Sequence, residues 1–235
     1  MRLGNRAGRV LAFPGGDPLV TLTSDNHDNF IRFFHLLLEQ EMREFPERPL
    51  PEGYRYVHFA PGDKDAWIAI ERSAREFDSR EQGEAAWERY FAGHEKELEQ
   101  RMFFVEDRTG RKVATATAYY DIGTGDDGVN GWLHWVAVSR EAQGKGLSKP
   151  LIAHTLNCLR RLGYQKGIIS TQSVTWLACK IYLDLGFAPE QQNAKESAEG
   201  WRIIRTLTNH PALQNYPPAN KEDIFITPPK IQEEH

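Results

Sequence analysis

The order of helical and strand segments predicts an α/β fold for this chain of 235 residues. The strongest signal is the run of aromatic and β-branched residues at 132–138, which predicts a buried strand. A polar loop with Gly144 and Gly146 follows, and apolar residues then recur at helical spacing over 147–162. Gly163 fits the position just after the end of that helix.

An N-terminal extension is predicted at residues 1–52, ahead of the main domain. Short apolar runs at 9–13 and 19–23 flank a turn of proline and glycine, which predicts a small hairpin. Residues 30–42 are apolar over most of one side when they are placed on a helix, which predicts an amphipathic helix. Because such a helix needs a partner surface, the extension is interpreted as a packed segment, a lid or an oligomer contact.

The main domain is predicted at residues 53–209, and a tail at residues 210–235. The tail is polar and contains several prolines, which predicts an extended chain, either loose or laid across the body. In chain order, the main domain is predicted to contain a strand (54–60), two helices (63–77, 81–99), two hairpin strands (102–106, 113–120), the central strand (132–138) and its helix (147–162), a strand (167–171), a helix (174–185) and a last strand (201–207).

The composition is ordinary for a globular protein, and it narrows the classes of function. A net charge of −4 gives no electrostatic case for binding nucleic acid. No segment approaches the roughly 20 apolar residues of a membrane span, so no membrane partner is predicted. The two cysteines, Cys158 and Cys179, are too few for a disulfide framework, and no His/Cys cluster has zinc spacing. We therefore predict a cytoplasmic protein without a metal.

The junction between the central strand and its helix suits the binding of an anion. The first backbone N–H groups of a helix have no intrahelical partner, and the helix dipole is positive at this end. Glycines let the backbone approach an anion closely, so residues 143–148 are predicted to cradle a pyrophosphate. Lys145 and Lys149 add positive charge. The alternative is a plain strand-to-helix turn with two glycines, because short motifs are weak evidence.

This junction resembles the central acyl-CoA motif of the GCN5-related N-acetyltransferase (GNAT) superfamily. The match consists of Val136-Ala137-Val138, a short polar loop, and then Gln143, Gly146 and Ser148 ahead of the amphipathic helix. Family members usually carry glycine or alanine where Ser148 stands, but serine is also small, and its hydroxyl suits a phosphate. The spacing fits neither a Walker loop nor a dinucleotide-binding fingerprint.

A second motif follows further along the chain, in the order that the family shows. The segment Thr175-x-x-Ala178-x-x-x-Tyr182-x-x-x-Gly186-Phe187 resembles a family helix that commonly begins with asparagine in place of Thr175. Two independent motifs in the family's order support the resemblance, which extends over residues 54–207.

The resemblance implies a mixed central sheet with helices on both faces, and an acetyl-CoA-dependent N-acetyltransferase. Acetyl-CoA would be the acyl donor, with its pantetheine arm along the central strand. The residues that the resemblance implies for donor binding are Val136, Ala137, Val138, Gln143, Gly144, Lys145, Gly146, Leu147, Ser148, Lys149, Thr175 and Ala178.

Tyr182 and His134 are the predicted catalytic residues. The resemblance places at Tyr182 the phenol that often protonates the leaving CoA thiolate, and a tyrosine keeps its proton at neutral pH. His134 is the candidate base, because alternate residues of 132–138 share one face of a regular strand and imidazole accepts a proton near neutral pH. The alternatives are a core tyrosine, and a histidine packed between tryptophans while water takes the proton. Glu106 is either a second candidate base or an ordinary surface carboxylate.

The acceptor is predicted only as a primary amine, with a small molecule favoured over a peptide. Aromatic and acidic side chains on the first helices and the hairpin would suit a cationic amine, although they fit core and solvated positions equally well. These side chains are Trp67, Glu71, Phe77, Asp78, Tyr119 and Tyr120. A non-catalytic acyl-CoA-binding module and a transferase of a longer acyl group are the alternative functions. The extension also leaves a homodimer open.

Overall fold

The computed structural model describes residues 9–11, 20–22 and 30–226 of the chain. The chain groups into two compact units. The first unit is Met1–Glu39 with Ser170–His235, and the second unit is Gln40–Ile169. The predicted domain boundaries stay a prediction.

The strands are β1 (Arg9–Leu11), β2 (Val20–Leu22), β3 (His35–Glu41), β4 (Arg55–His58), β5 (Met102–Glu106), β6 (Lys112–Tyr119), β7 (Asn130–Val138), β8 (Lys166–Gln172) and β9 (Ala188–Pro189). The helices are α1 (Lys64–Ala74), α2 (Arg80–Tyr90), α3 (Glu95–Arg101), α4 (Ser148–Arg161), α5 (Trp176–Asp184), α6 (Gln191–Glu196), α7 (Ala198–Thr208) and α8 (Lys221–Ile224). Seven strands form one sheet in the order β4-β5-β6-β7-β8-β3-β9. Strands β4 to β7 pair antiparallel and β7 pairs parallel with β8, so the predicted mixed sheet is confirmed.

Helices cover both faces of the sheet in the second unit, as the resemblance implied. Phe103 and Phe104 are consecutive residues of β5, so their side chains point to opposite faces. The Phe103 ring meets the His154 ring of α4 edge-on, with centroids 4.7 Å apart. Phe104 belongs to the core cluster that contains Trp67 of α1 and Trp87 of α2. Helix α4 therefore covers one face, and α1 and α2 cover the other.

Aromatic rings dominate the core between the sheet and α1. The Trp67 ring is fully buried, and it meets the rings of Trp87, Phe91 and Trp135 edge-on at centroid distances of 5.4–5.5 Å. Edge-to-face aromatic pairs add about 0.5–1.5 kcal/mol each beyond the area that they bury. This cluster fixes α1 against the centre of β7.

Residues 30–42, predicted as an amphipathic helix, contain strand β3, so that prediction is wrong. Leu36 and Leu38 are fully buried while Leu37 between them is only partly buried, which is the two-residue period of a strand. Leucine and glutamate favour a helix by intrinsic propensity, but pairing in the sheet overrides that preference. Leu38 lies opposite Pro189 of β9 in this ladder.

Residues 201–207, predicted as the last strand, lie within helix α7, so that prediction is also wrong. Trp201, Ile204 and Leu207 are buried at the three-residue spacing of one helical face. The isoleucines and threonines of this segment favour a strand, but the burial of that face decides the structure.

The tail is not simply extended, which corrects the prediction for 210–226. A 3₁₀ turn at Pro211–Leu213 and helix α8 interrupt it. The side chains of Leu213 and Ile224 are fully buried, and the backbone N–H of Arg32 donates to the Ile224 carbonyl. This part of the tail is therefore packed within the first unit. Residues 227–235 lie outside the described part.

The structure divides one predicted helix into two and pairs the two strands of the predicted N-terminal hairpin. The helix predicted at 81–99 is two helices, α2 and α3, and Gly93 takes a left-handed φ of +81° in the turn between them. The predicted N-terminal hairpin is confirmed in its pairing, because Arg9–Leu11 runs antiparallel to Val20–Leu22. The residues that connect these two strands lie outside the described part.

Gly131 of β7 permits the close approach of α4 to the sheet. A Cβ at this position would lie 2.8 Å from Leu159 Cδ2 and 2.8 Å from Tyr164 Cγ. We expect Gly131→Ala to lower the free energy of unfolding by about 1–3 kcal/mol, because the methyl group overpacks the core. Denaturant titration measures the change. Gly123→Ala is the control, since its Cβ would come no closer than 3.5 Å to another side chain, and an equal loss in both variants would contradict the explanation.

Candidate functional site

Strand β7 carries a bulge at its centre. In the register with β6, Thr117 lies opposite His134 and Thr115 lies opposite Ala137. Two residues of β7 therefore stand against one residue of β6, which is the definition of a β-bulge. Within the bulge, Trp135 takes a φ of +49°, in the left-handed region that residues other than glycine rarely adopt.

The bulge changes which side chains share a face of the sheet. Alternate residues of 132–138 were predicted to share one face, and that prediction is wrong. Opposite residues of an antiparallel pair share a face, so His134 and Ala137 lie on the same side. Ala137 belongs to the core cluster under α1, which identifies that side. Val138, the next residue, points to the other face.

Rings from α1 and α2 hold Trp135 in its unusual conformation. The centroid of its ring lies 5.4 Å from that of Trp67, 5.4 Å from that of Phe77 and 5.2 Å from that of Tyr90. Backbone strain of about 1–3 kcal/mol persists only where the surrounding packing overdetermines it. The bulge is therefore a fixed feature of β7.

Strands β7 and β8 separate after a short stretch of parallel pairing. The register joins Asn130–Trp132 to Lys166–Ile168 and goes no further in the described part of the chain. On its other edge, β7 stays paired with β6 as far as Val138. The edge of β7 at residues 133–138 that would face β8 thus offers backbone N–H and C=O groups to another extended chain.

The loop after β7 has the geometry of an anion cradle. A 3₁₀ turn at Arg140–Ala142 leads into Gly144 and Gly146, whose φ angles are +75° and +81°. A Cβ on Gly146 would make only ordinary contact, with Pro51 Cγ at 3.8 Å, so the positive φ and not close packing favours glycine here. The side-chain amide of Gln143 donates to the Val138 carbonyl at 3.1 Å, which fixes the loop to the end of the strand.

Helix α4 begins at Ser148 without the usual stabilisers of an N-terminus. Its N-cap residue, Leu147, is buried and makes no side-chain cap, and no acidic residue lies in the first turn. Lys145 is exposed and Lys149 is partly exposed, near the positive end of the helix dipole. Cations are unfavourable at this end, so the arrangement suits an anion that binds the first N–H groups and both lysines.

His134 is packed among aromatic rings on the α1 side of β7. Its ring stacks on Trp132, with planes 12° apart and centroids 5.6 Å apart, and the Tyr90 ring lies 6.0 Å away. Burial lowers the pKa of His134 to about 4, while a hydrogen bond to the Tyr120 backbone and the charge of Asp121 act in the opposite direction. The ring is therefore neutral at physiological pH. Its Nε2 atom is buried and has no hydrogen-bond partner in the described part of the chain.

Buried polar atoms without hydrogen-bond partners are concentrated between α1 and the sheet, as far as the described residues show. We call this group the polar layer, and its atoms are both carboxyl oxygens of Glu71, Oγ1 of Thr115 and of Thr117, Nε2 of His134, and Nε1 of Trp67 and of Trp135. Glu71 is fully buried, and its burial, together with the charge of Glu76, raises the pKa of its carboxyl well above the ordinary value. Because such groups are rare in folded proteins, the polar layer indicates ordered water or a functional role.

In the first unit, helix α5 carries the second motif of the sequence. Tyr182 is buried, with 5% of its surface exposed, and Ala178 is partly exposed. The hydroxyl of Thr175 donates to the Gln172 carbonyl at 3.0 Å, so it is already engaged. Burial raises the pKa of the Cys179 thiol to about 12, which makes this cysteine an inert core residue.

The residues predicted to line an acceptor site are brought together in part. Trp67 and Glu71 are one turn apart on α1 and both are fully buried. The Phe77 ring lies 5.8 Å from the Trp67 ring. Tyr119 belongs to the same core cluster, and it stacks on Tyr120 at 4.2 Å.

Two acidic residues named from the sequence lie outside the polar layer. Asp78 is exposed just before α2. Glu106 forms an ion pair with Arg55 at 2.7 Å, between β5 and the edge strand β4. This pairing favours the surface-carboxylate interpretation of Glu106 over a role as base.

Sequence reasoning did not identify Thr115 and Thr117 as members of the site. Threonine is an ordinary strand residue, and both lie in a regular stretch of β6, so no sequence signal marks them. The bulge at Trp135 could not be predicted from the sequence either, because tryptophan has no preference for a positive φ.

The site thus combines a strand edge that, among the described residues, is not paired beyond Trp132 with a glycine loop at the N-terminus of α4. The profile of the Acetyltransferase (GNAT) family matches residues 64–187, which is more than half of the chain. The matched region runs from α1 through the bulged strand and the glycine loop to the end of the second motif. The chain belongs to this acetyltransferase family.

Curated relatives carry the name of one enzyme. Mycothiol acetyltransferase of Pseudarthrobacter chlorophenolicus is 31% identical over 147 residues, which are 61% of this chain and 45% of that protein. Mycothiol acetyltransferase of Saccharomonospora viridis is 31% identical over 156 residues, which are 62% of this chain and 49% of that protein. The chain thus spans about half the length of the curated relatives that it matches.

A solved structure shares the fold. A GCN5-related N-acetyltransferase from Sphaerobacter thermophilus aligns with a TM-score of 0.55 at 19% identity, over 69% of this chain and 50% of that chain. Among the described residues, none of the helices has the length and apolar character needed to cross a membrane. The same residues contain no group of three or more His, Cys, Asp or Glu side chains that could hold a metal ion.

We expect Glu71→Gln to stabilise the protein at neutral and alkaline pH. Because the folded-state pKa of Glu71 is raised above 4.5, the folded protein keeps a proton that the unfolded chain loses. The stability of the native protein therefore falls as the pH rises from 4.5, the ordinary pKa of glutamate, through the folded-state pKa of Glu71. Glutamine does not titrate, so the variant should not show this fall. Melting temperatures between about pH 4 and about pH 9 measure the effect. A difference between the two proteins that is the same at every pH would contradict this expectation.

Proposed function

We propose that this protein is an acetyl-CoA-dependent N-acetyltransferase that acetylates a primary amine by direct attack of the amine on the thioester. The separation of β7 from β8 after Trp132 is the observation that carries the proposal. The free edge of β7 can bind an extended pantetheine arm through main-chain hydrogen bonds, as a sheet edge binds an added strand. Acetyl-CoA is the donor that this family uses, and it supplies the activated acetyl group.

The donor is proposed to lie along Val136, Ala137 and Val138 and to place its pyrophosphate on the loop at 143–149. The loop glycines, the uncapped N-terminus of α4 and the two lysines support this assignment. Thr175 and Ala178 of α5 are proposed as further contacts. Since the Thr175 hydroxyl is engaged by Gln172, its contact would come from the methyl group or the backbone.

His134 is proposed to hold the acceptor amine beside the bulge. Its neutral ring offers the unpartnered Nε2 lone pair as a hydrogen-bond acceptor. Because its pKa is lowered to about 4, His134 is a weak base at neutral pH. It orients the amine and does not retain the proton.

Tyr182 is proposed to donate its phenolic proton to the leaving CoA thiolate. A tyrosine has an ordinary pKa of about 10, so it holds this proton at neutral pH and can deliver it through one hydrogen bond. The position of Tyr182 in the second motif, where the resemblance implies this role, is the support for the assignment.

The acceptor is proposed to be an amine of a small molecule. Both curated relatives are named mycothiol acetyltransferase, after a small molecule, and this chain is 31% identical to them. The partly exposed rings of Trp132 and His134 stack on the α1 side of β7, and the tilted Tyr90 ring borders them. Such stacked rings suit the apolar face of an acceptor.

The weak basicity of His134 favours a second candidate, a non-catalytic acyl-CoA-binding module. This module would bind the donor on the same loop and would transfer nothing. Donor binding alone does not separate the two candidates, whereas turnover does.

We expect Gly146→Glu to weaken the binding of acetyl-CoA by at least about tenfold, or 1.4 kcal/mol. A φ of +81° disfavours any side chain, and a carboxylate would repel the pyrophosphate. Gly146→Ala introduces the strain without the charge, so it should weaken binding less. Calorimetric titration measures both. Equal affinity in the native protein and Gly146→Glu would show that the loop is only a turn.

We expect Tyr182→Phe to lower kcat by about 10²–10⁴-fold and to leave the Kd of acetyl-CoA nearly unchanged, because general acid catalysis is lost while donor contacts stay. CoA release is followed with a thiol reagent, using phenethylamine, spermidine, glucosamine and glycinamide as acceptors and butyryl-CoA as a second donor. Tyr216→Phe, the same change elsewhere in the first unit, is the control. Unchanged turnover in Tyr182→Phe would remove this tyrosine from the mechanism. No turnover by the native chain would favour the binding module.

A further inference from the structure

We propose that Glu71 receives the proton that the acceptor's ammonium group releases, and that the hydroxyls of Thr117 and Thr115 pass this proton to it while His134 holds the amine. The assignment rests on the proposed N-acetyltransferase function. It gives the polar layer a role as the path of one proton between the bulge of β7 and helix α1.

The geometry places Glu71 on the side of α1 that faces the bulge. Trp67 precedes it by one helical turn, so the two side chains are neighbours, and the Trp67 ring meets the Trp135 ring at 5.4 Å. Thr117 lies directly opposite His134 in the ladder between β6 and β7. Opposite side chains in an antiparallel pair touch each other, so the polar layer continues from His134 onto β6.

Every member of the path has free capacity for a proton. A threonine hydroxyl can accept one hydrogen bond while it donates another, which is what a relay requires. The hydroxyls of Thr115 and Thr117 have no partner in the described part of the chain, and both threonines are fully buried. The Glu71 carboxyl is equally unengaged, and this residue is also fully buried. A buried acid without a partner lowers stability, so function is the reason to keep it.

His134 is a weaker base than an ordinary histidine and Glu71 is a stronger base than an ordinary glutamate, as transfer of the proton to Glu71 requires. Burial lowers the pKa of His134 to about 4, so a proton does not remain on this ring. Burial raises the pKa of Glu71 well above its ordinary value, which makes its carboxylate a stronger base than a solvated one. The most effective general base has a pKa near the working pH, and Glu71 is shifted towards it.

The charged surroundings of Glu71 also favour this role. Glu76 follows α1, and the titratable groups that are not exposed on the elements packed against α1 are Glu84 and Tyr90 of α2, Lys112 and Tyr119 of β6, and His134 of β7. Lys112 forms an ion pair with Asp63, and Glu76 opposes ionisation of Glu71. Among the described residues no cation is paired with Glu71. The ammonium of the acceptor is thus the charge that favours its ionised form.

The step balances for protons and electrons. The ammonium N–H bond breaks, its proton reaches the Glu71 carboxylate through the relay, and the amine keeps the lone pair that forms the C–N bond. As the C–S bond breaks, sulfur keeps its electron pair and takes the phenolic proton of Tyr182. The second proton lost by nitrogen restores Tyr182, and the Glu71 carboxylic acid finally releases its proton to water.

The test compares kcat/KM against pH for the native protein, Glu71→Gln, Glu71→Asp and Glu95→Gln. The acceptor is the fastest of the four amines, and CoA release is followed with the thiol reagent from about pH 6 to about pH 9.5. We expect Glu71→Gln to lower kcat/KM at neutral pH by about 10²–10⁴-fold. The loss should shrink as the pH approaches the pKa of the chosen amine, because free amine needs no base. Glu71→Asp keeps a carboxyl and should recover part of the rate.

Glu95→Gln is the matched control, because it is the same change at an exposed site of the same unit whose charge does not act on the pKa of Glu71. It should keep the native profile, and all variants should bind acetyl-CoA with the native Kd. A Glu71→Gln profile that superimposes on the native one would overturn the proposal. A rate lowered by one factor at every pH, together with weaker binding of acetyl-CoA, would do the same, since a structural defect has that signature. If the native chain acetylates none of the amines, the proposed function fails and the role of Glu71 fails with it.

Discussion

The bulge at Trp135 is the constraint on which the second unit depends. One extra residue on β7 lets the strand stay paired with β6 while its side chains exchange faces. His134 and Ala137 thereby come to lie on the same side, which a regular strand would not allow. The strained backbone conformation of Trp135 persists only because Trp67, Phe77 and Tyr90 pack around its ring. The aromatic core is therefore a support for the site as well as a source of stability.

The polar layer, in contrast to the aromatic core, lowers the stability of the second unit. Helix α1 packs Trp67, Ile68 and Ile70 against the protein, as an amphipathic helix should, but it also buries Glu71 without a partner. A buried acceptor left unsatisfied costs about 1–3 kcal/mol, and each further unpaired group adds to the cost. The edge-to-face rings around Trp67 offset it. Where unpaired polar groups are buried and the surrounding packing offsets the loss of stability, a functional site is the expected reason.

The sequence predicted the parts of the fold that depend on local chemistry. The loop glycines, Gly144 and Gly146, mark positive φ angles, and the spacing of apolar residues after Leu147 marks α4, so both were found. Strand β3 and helix α7 were missed because burial in the sheet or on one helical face overrode residue preferences. The bulge and the polar layer depend on the register of two strands, which no single stretch of sequence encodes.

In the proposed function, the bulge also lets one strand serve two substrates. The edge of β7 at residues 133–138 is free of β8 and is suited to the donor, whereas the face that carries His134 is covered by α1 and is suited to proton chemistry. An edge and a face of the same strand lie at right angles, because backbone groups point sideways and side chains point up or down. At the bulge these two directions meet within a few residues. A donor held by the edge and an amine held at the face then approach each other without competing for the same groups, and such positioning supplies much of the rate in a direct transfer.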